Sequence, residues 1–134
     1  MSCPREMFVA ACCRNDLDQV RSLLEEGSDV NWRRKQDGWS GLYWAARHNC
    51  QDLLQLLLTQ RGLDVNIRDH LGRTPLMAAC YHGHDGIARR LCQLPGLQLN
   101  SRDKHQFTAL HFAVYGNKPV CVQVNVFQQL MIEG

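Results

Sequence analysis

The chain lacks the features that mark membrane, secreted and nucleic-acid-binding proteins. Its richest apolar run, Leu53 to Leu58, is far shorter than the roughly 20 residues that a membrane-spanning helix needs. No apolar run follows the charges of the opening MSCPREMF, so we expect no secretory signal. The formal net charge is only +2, which leaves no excess of either sign for nucleic acid or a membrane surface. We therefore expect a cytoplasmic or nuclear protein that binds neither.

The cysteines lack the spacing of a disulfide framework or a zinc site. There are seven of them, at positions 3, 12, 13, 50, 80, 92 and 121, and none forms a CxxC pair. In Cys80-x-His82-x-His84, alternate residues on a short helix or turn cannot all face one ion, and no second ligand pair lies at zinc-like spacing. We therefore expect free thiols that pack as small apolar residues, and no metal site.

Motifs for catalysis are missing as well. Gly83 and Gly86 are not followed by the Lys-Ser/Thr of a phosphate-binding loop, and no Gly-x-Ser-x-Gly sequence is present. A Cys–His nucleophilic pair stays open, although no feature marks one cysteine as activated. The sequence predicts a protein that is not an enzyme and that needs no cofactor.

What is present is a repeat of 34 residues. Leu42, Leu76 and Leu110 occupy the same position in the aligned segments SGLYWAARHN, TPLMAACYHG and TALHFAVYGN. A period of this length predicts stacked supersecondary units that contact only their neighbours. Such arrays present a surface and seldom enclose a catalytic cleft.

Each unit reads as turn, helix, helix and loop. In the third, Gly72 suits a tight turn, and Thr74-Pro75 is a typical helix start, with a hydroxyl N-cap followed by proline. A second helix follows Gly83, with an apolar stripe at Ile87, Leu91 and Leu94 that ends before Pro95-Gly96.

These residues resemble the ankyrin repeat. The resemblance rests on Gly-x-Thr-Pro-Leu at 72–76, Thr108-x-Leu-His111, and Asp-Val-Asn at 29–31 and 64–66, and it covers about residues 5 to 117. Departures are Ser40-Gly41 in place of Thr-Pro, Met77 in place of His, and one extra residue near Gly62. The resemblance implies an all-α solenoid of stacked helix-turn-helix units with β-turn or hairpin fingers. We expect a single domain over 1–134, with units at about 3–34, 35–68, 69–102 and 103–134.

The fourth unit departs from the pattern. Its second helix is expected at about 119–128, but Val120, Val122, Val124 and Val126 alternate as in a strand, while a helical stripe fits equally well. Asn125 lies where the other units have Leu57 and Leu91. The unit therefore reads as truncated or altered, and three origins stay open: a piece of a longer array, an isoform with a replaced ending, or a short protein whose tail over 118–134 packs adequately. An apolar ending of this kind also predicts self-association.

The resemblance implies that a protein partner binds the concave side, through finger tips and exposed positions of the first helices. Aromatic and arginine side chains at such positions are typical interface anchors. The candidate residues are Trp32, Arg33, Arg34, Trp39, Arg47, His70, Arg73, Tyr81, Lys104, Phe107 and Tyr115. The expected function is a non-catalytic interaction module acting as an adaptor, targeting subunit or inhibitor. The alternative is a stacking segment of a longer array, or an isoform of one with an altered ending, with no dedicated ligand.

The first finger, residues 31–39, admits two interpretations. Its cations Arg33, Arg34 and Lys35 suit an acidic or phosphorylated partner segment. Alternatively the finger is a solvated loop whose Trp39 stacks against the next unit.

Overall fold

The computed structural model describes residues 4–133, and over that range the chain forms eight α-helices and no strand. The helices follow one another as antiparallel pairs, one pair per unit. Their bounds are α1 Pro4–Cys13, α2 Leu17–Glu25, α3 Gly41–Arg47, α4 Gln51–Leu58, α5 Pro75–His82, α6 Asp85–Cys92, α7 Ala109–Tyr115 and α8 Pro119–Glu133. The all-α solenoid is confirmed, whereas the exact unit boundaries stay a prediction whose ends, Cys3 and Gly134, lie outside the described residues.

The first helices of units two to four begin at the hydroxyl residues that the sequence indicates. Ser40, Thr74 and Thr108 each accept a hydrogen bond from the backbone N–H three residues on. In unit four the side chain of His111 returns the bond, since the N–H of Thr108 donates to His111 Nδ1 at 2.9 Å. Met77 replaces that imidazole in unit three with its sulfur at 3.4 Å, a weaker acceptor.

The turn inside each helix pair needs a left-handed residue. Asn15, Asn49, Gly83 and Asn117 occupy the same position of their units, with φ between 54° and 72°. Asparagine and glycine are the residues that adopt this conformation most readily. The sequence signal for this turn is thus clear at Gly83 and easily overlooked at the three asparagines.

Small side chains let neighbouring first helices approach closely. Cys12, Ala46 and Cys80 are fully buried at equivalent positions, which confirms the packing interpretation of these cysteines. Burial also raises the pKa of the Cys12 thiol to about 12, which disfavours the reactive thiolate form. A Cβ atom on Gly41 would lie 2.8 Å from Cys12 Sγ. Gly41 thus leaves room for the Cys12 sulfur, whereas unit four has Ala109 at this position after Cys80.

Asparagine side chains fasten each unit to the next. Asn31 donates from Nδ2 to the carbonyl of Gly62 at 2.6 Å and accepts from the N–H of Asp64 at 2.8 Å. Asn66 repeats the arrangement one unit later, with the carbonyl of Gly96 at 2.9 Å and the N–H of Gln98 at 2.8 Å. The Asp-Val-Asn motif thus ends in a residue that holds the following loop, and we call these two residues the asparagine latches.

Two details of the second helices differ from the sequence-based expectation. The helix α6 ends at Cys92, so Leu94, which was expected in its apolar stripe, lies beyond it and is half-buried. In unit four the strand alternative is wrong, because 119–133 is one helix of 15 residues, longer than the 8 of α4 and α6. A helix satisfies its backbone groups internally, whereas a strand here would need a neighbouring strand.

In the altered fourth unit, polar side chains in the core hydrogen-bond to one another and to the backbone. Asn125 is only 2% exposed, and its Nδ2 donates to the carbonyl of Cys121 at 2.8 Å and to Cys80 Sγ at 3.2 Å. The Cys121 thiol donates to Asp85 Oδ1 at 3.1 Å. A buried Asn is tolerated in this leucine position because the Cys80 sulfur and the Cys121 carbonyl accept hydrogen bonds from its amide group.

The far side of the fourth unit is open. Leu42 and Leu76 are buried by the unit that follows each of them, whereas Leu110 is 36% exposed. Val114, in the position of Ala46 and Cys80, is 61% exposed. None of the helices between residues 4 and 133 is long and apolar enough to cross a membrane.

Candidate partner-binding face

The fingers that precede the first helices are tight turns built around buried carboxylates. Asp69 accepts from the N–H groups of Leu71 at 2.9 Å and Arg73 at 2.8 Å, and Asp103 does the same for His105 and Phe107 at 2.9 and 2.8 Å. Each finger is closed by a backbone bond, from the Asp69 N–H to the Arg73 carbonyl at 3.0 Å in unit three. The buried carboxylates fix the direction in which the fingertip side chains point.

Neighbouring fingers are joined along the array. The N–H of His70 donates to the carbonyl of Asp37 at 3.0 Å, and that of Lys104 to the carbonyl of Leu71 at 2.8 Å. Gly38 has a φ of 78°, and a Cβ atom there would lie 2.8 Å from the His70 nitrogen. The glycine is required both by its own conformation and by the approach of the next finger. The exposed tips His70 and Lys104 are thereby held side by side, as predicted from their shared position.

The finger of unit two is a residue longer and folds onto itself. Its closing bond runs from the N–H of Arg34 to the carbonyl of Trp39 at 3.0 Å. Arg34 makes a bidentate pair with Asp37, Nε to Oδ1 at 2.8 Å and Nη2 to Oδ2 at 2.7 Å, and this pairing lowers the pKa of Asp37. Its guanidinium also lies 4.9 Å from the ring centre of Trp39. Arg34 is therefore occupied inside the finger.

Trp39 lies against its own unit, which corrects the interpretation that it stacks on the next one. Its ring is 5.2 Å from that of Tyr43 and 5.9 Å from that of Trp44. The guanidinium of Arg47 covers it at 4.7 Å. The indole Nε1 is buried and has no hydrogen-bond partner in the described part of the chain. The Trp39 ring thus packs against the guanidinium groups of both Arg34 and Arg47.

Two further predicted residues of the first finger also serve internal contacts. Trp32 is half-buried against the core, with the guanidinium of Arg5 at 5.1 Å from its ring. Arg33 donates from Nη1 to the carbonyl of Arg68 at 2.7 Å and so joins the first finger to the backbone just before the finger that begins at Asp69. Neither residue lines the two cavities described next, and their part in partner binding stays a prediction.

The middle of the concave face is a cationic cavity of about 270 Å³ between α3, α5 and α7. Arg47 and Arg73 line it together with His82, and Tyr43 and Tyr81 form part of its wall. Arg73 is partly neutralised by Asp69, Nε to Oδ2 at 2.9 Å, whereas Arg47 makes no ion pair within residues 4–133. We call this space the cationic cavity.

His82 is one of the residues that line the cationic cavity, and its Nε2 is buried. Its Nε2 has no hydrogen-bond partner in the described part of the chain. Burial lowers the pKa of His82, and nearby cations lower it further, Arg47 first, then His84, His48 and Lys118. Each of these groups is positive or becomes positive on protonation, and no carboxylate is among the described residues that line the cavity.

The end of the concave face is apolar. A cavity of about 490 Å³ lies beside α7, walled by Tyr81, Phe107, Leu110, His111, Phe112, Val114 and Tyr115. Tyr115 is 84% exposed and stacks on Tyr81 at 6.4 Å between ring centres, while Phe107 meets Phe112 edge to face at 6.1 Å. Tyr81 and Phe112 border both cavities, which are therefore contiguous. We call this second space the aromatic cavity.

The structure thus brings together Arg47, Arg73, Tyr81, Phe107 and Tyr115 of the predicted set. It adds Phe112, Leu110 and Val114, which the sequence analysis did not select for binding. A signal existed for Phe112, because a phenylalanine occupies the position at which unit three has Ala78. Among the described residues, no group of three or more His, Cys, Asp or Glu is gathered as a metal site would require.

Comparison with known proteins gives one consistent family. The family described as Ankyrin repeats (3 copies) matches residues 3–69 and 62–131. A probable E3 ubiquitin-protein ligase of Oryza sativa subsp. japonica, XBOS33, is 33% identical over 120 residues, which cover 89% of this chain. The human 2-5A-dependent ribonuclease is 34% identical over 77 residues, 58% of the chain, and the human ankyrin repeat domain-containing protein SOWAHB is 39% identical over 71 residues, 49% of the chain.

The matched part is a small portion of each relative. It spans 23% of the rice protein, 10% of the ribonuclease and 9% of SOWAHB. Each of these relatives is several times longer than this chain, and its name refers to the whole protein.

Proposed function

Because this chain belongs to the ankyrin-repeat family, we propose that it is a non-catalytic module that binds a protein partner through its concave face. The observation that carries the proposal is the aromatic cavity, in which Phe107 and Tyr115 are held apart from the core and exposed. Exposed aromatic groups that cluster in this way are typical of interaction sites. The bonded fingers fix these side chains before binding, so that little ordering entropy is lost on association.

The relatives support a binding role and not a shared reaction. One is named as a ubiquitin ligase and another as a ribonuclease, yet both match this chain, over 23% and 10% of their own lengths. A segment common to proteins of different named activity is better suited to recognition than to chemistry. An adaptor, a targeting subunit and an inhibitor would each use such a face.

The test compares capture of partners by the intact chain and by two matched variants. Phe107→Ala with Tyr115→Ala removes the two exposed aromatic groups, and Arg89→Ala with Arg90→Ala changes exposed residues of α6 outside both cavities. We expect the same cross-linked proteins with the chain and with the α6 variant, and their loss with the aromatic variant. Capture that survives in the aromatic variant, with folding checked by circular dichroism, contradicts the proposal.

A second candidate function is a stacking segment in a longer array or in an assembly of copies. The open side of unit four, with Leu110 and Val114 exposed, favours it. Two features oppose stacking of a regular unit there: Val114 is larger than Ala46 and Cys80, and Gln106 replaces the glycine against which the next finger would lie.

Sedimentation velocity over a range of concentrations separates the two candidates. A monomer at all concentrations favours the binding module. Self-association that Val114→Lys abolishes and Val124→Lys on α8 leaves intact favours stacking through the open side. Val124 lies in a groove beside α6 and not in the aromatic cavity, which makes it a matched control.

A further inference from the structure

The two contiguous cavities have different chemistry, and each leaves groups without a partner in the described part of the chain. The cationic cavity has a guanidinium without a carboxylate partner, Arg47, and a buried imidazole nitrogen without a hydrogen-bond partner, His82 Nε2. The aromatic cavity is walled almost wholly by carbon and is open to solvent. We propose that the partner presents a carboxylate side chain to Arg47 and His82 and a bulky apolar side chain to the neighbouring aromatic cavity. This inference rests on the proposed function and specifies the partner's chemistry.

The carboxylate follows from the charges around the site. Arg47 from α3 and Arg73 from the finger before α5 line the cavity, and His48, His84 and Lys118 act on His82 from the surrounding segments. The acidic group Asp69 is buried and already accepts from Arg73 and from two backbone N–H groups. Arg47 has no carboxylate partner and Arg73 is already paired with Asp69, so the cavity has room for one further negative charge. A partner cation would meet only like charges here.

The apolar side chain follows from the geometry of Tyr81. Tyr81 lines both cavities, with Phe112 edge to face at 6.2 Å and Tyr115 stacked at 6.4 Å. An aliphatic or aromatic group placed against these rings is removed from water, and well-buried anchors of this kind account for much of the binding energy at protein interfaces. The shared wall requires that the two partner groups lie close together on one segment.

The site also predicts a proton effect. A carboxylate beside His82 favours the imidazolium form, whereas in the free chain burial and the surrounding cations disfavour it. Binding of the acidic group therefore raises the pKa of His82. A bound apolar group alone has no such effect, so this readout is specific to the carboxylate.

The experiment uses the full chain and the synthetic peptide Ac-Glu-Gly-Gly-Phe-NH2, whose glycines leave the spacing of the two groups free. Binding is followed by NMR at the rings of Tyr81, His82 and Tyr115, and the pKa of His82 is measured with and without peptide. We expect these signals to shift together, and we expect affinity to fall at least fivefold when Glu is replaced by Gln or Phe by Ala in the peptide.

Chain variants locate the effect. In Arg47→Ala the preference for the Glu over the Gln peptide should be much reduced, while Arg90→Ala, on the exposed side of α6, should behave as the unmodified chain. Equal affinity of the Glu and Gln peptides for the unmodified chain overturns the proposal, as does the absence of shifts at millimolar peptide. If a captured protein depends on Phe107 and Tyr115 but not on Arg47, this inference fails while the proposed function stands. If capture is independent of all three, both fail.

Discussion

Gln106 is a residue in a backbone conformation that suits glycine. Its φ is 69°, and the equivalent residues of the two preceding fingers are Gly38 and Gly72, with φ of 78° and 76°. A side chain in this region costs about 1–2 kcal/mol. We expect Gln106→Gly to raise the free energy of unfolding by about 1 kcal/mol, measured by urea denaturation.

Gly72→Ala is the opposing control for Gln106. It introduces a side chain at the same position, and its Cβ would lie 3.1 Å from the Lys104 nitrogen, so it should destabilise the chain. A Gln106→Gly variant no more stable than the parent would show that the left-handed residue stores no strain.

The contact between Gly41 and Cys12 provides a second prediction at the residue scale. Gly41→Ala brings a methyl group to 2.8 Å from Cys12 Sγ and should destabilise the chain by about 1–3 kcal/mol. In a Cys12→Ala background the same substitution should cost little, because the sulfur is gone. A double-mutant cycle measured by urea denaturation gives the coupling, and equal costs in both backgrounds would contradict the explanation of the Ser-Gly start.

At the scale of elements, the asparagine latches determine how firmly each loop is held. Asn66→Ala removes two hydrogen bonds to the loop at Gly96 and Gln98. We expect the free energy of unfolding to fall by about 1–3 kcal/mol and amide hydrogen exchange at Gln98 to become faster. Asn100→Ala is the matched control, because Asn100 has the same position in the next unit and is exposed. Unchanged exchange at Gln98 in the Asn66 variant would mean that the latch is not the element holding this loop.

The elements differ in how far the sequence predicts them. The first helices of units two to four were predictable, because Ser40, Thr74 and Thr108 are local N-caps that act within three residues. The helix α8 was not, because alternating valines satisfy both templates and the decision depends on whether another strand is nearby. Asn125 contacts Cys121, 4 residues away, and Cys80, 45 residues away. The contact with Cys80 could not be predicted from the local sequence, because it forms only when the third and fourth units are packed together.

The candidate site was predictable as columns but not as cavities. The 34-residue period alone places Arg47, Tyr81 and Tyr115 at the same position of successive units, and so predicts that they form one column. The internal pairing of Arg34 with Asp37 depends on the longer finger of unit two, which a fixed period does not represent. Arg34 and Arg47 are both candidates for partner binding from the sequence, but of these two only Arg47 lines the cationic cavity.

For the whole molecule, histidines link stability to pH. The pKa values of His48 and His82 are lowered in the folded chain, mainly by burial, so the unfolded chain binds more protons as pH falls. The contribution of these groups to stability is full above the ordinary histidine pKa of 6.5 and is lost as pH falls below it. Urea denaturation at pH 7.5 and 5.5 should therefore show lower stability at the acidic value.

A substitution assigns the effect of pH to its source. His82→Gln removes one titrating ring and should reduce the difference in unfolding free energy between the two pH values. His105→Gln, at an exposed fingertip, is the matched control and should leave the difference unchanged. An equal difference in the parent and the His82 variant would show that other groups carry the pH dependence.

The side-chain bonds between units also bear on how the chain is made. Those from Asn31, Arg33, Asn66, Arg68 and His84 join residues only 30 to 37 positions apart. A ribosome adding roughly 5–20 residues per second delivers that length within a few seconds. Each junction can therefore close while later units are still being translated, so the nascent chain need not await its C-terminus to begin burying its leucines.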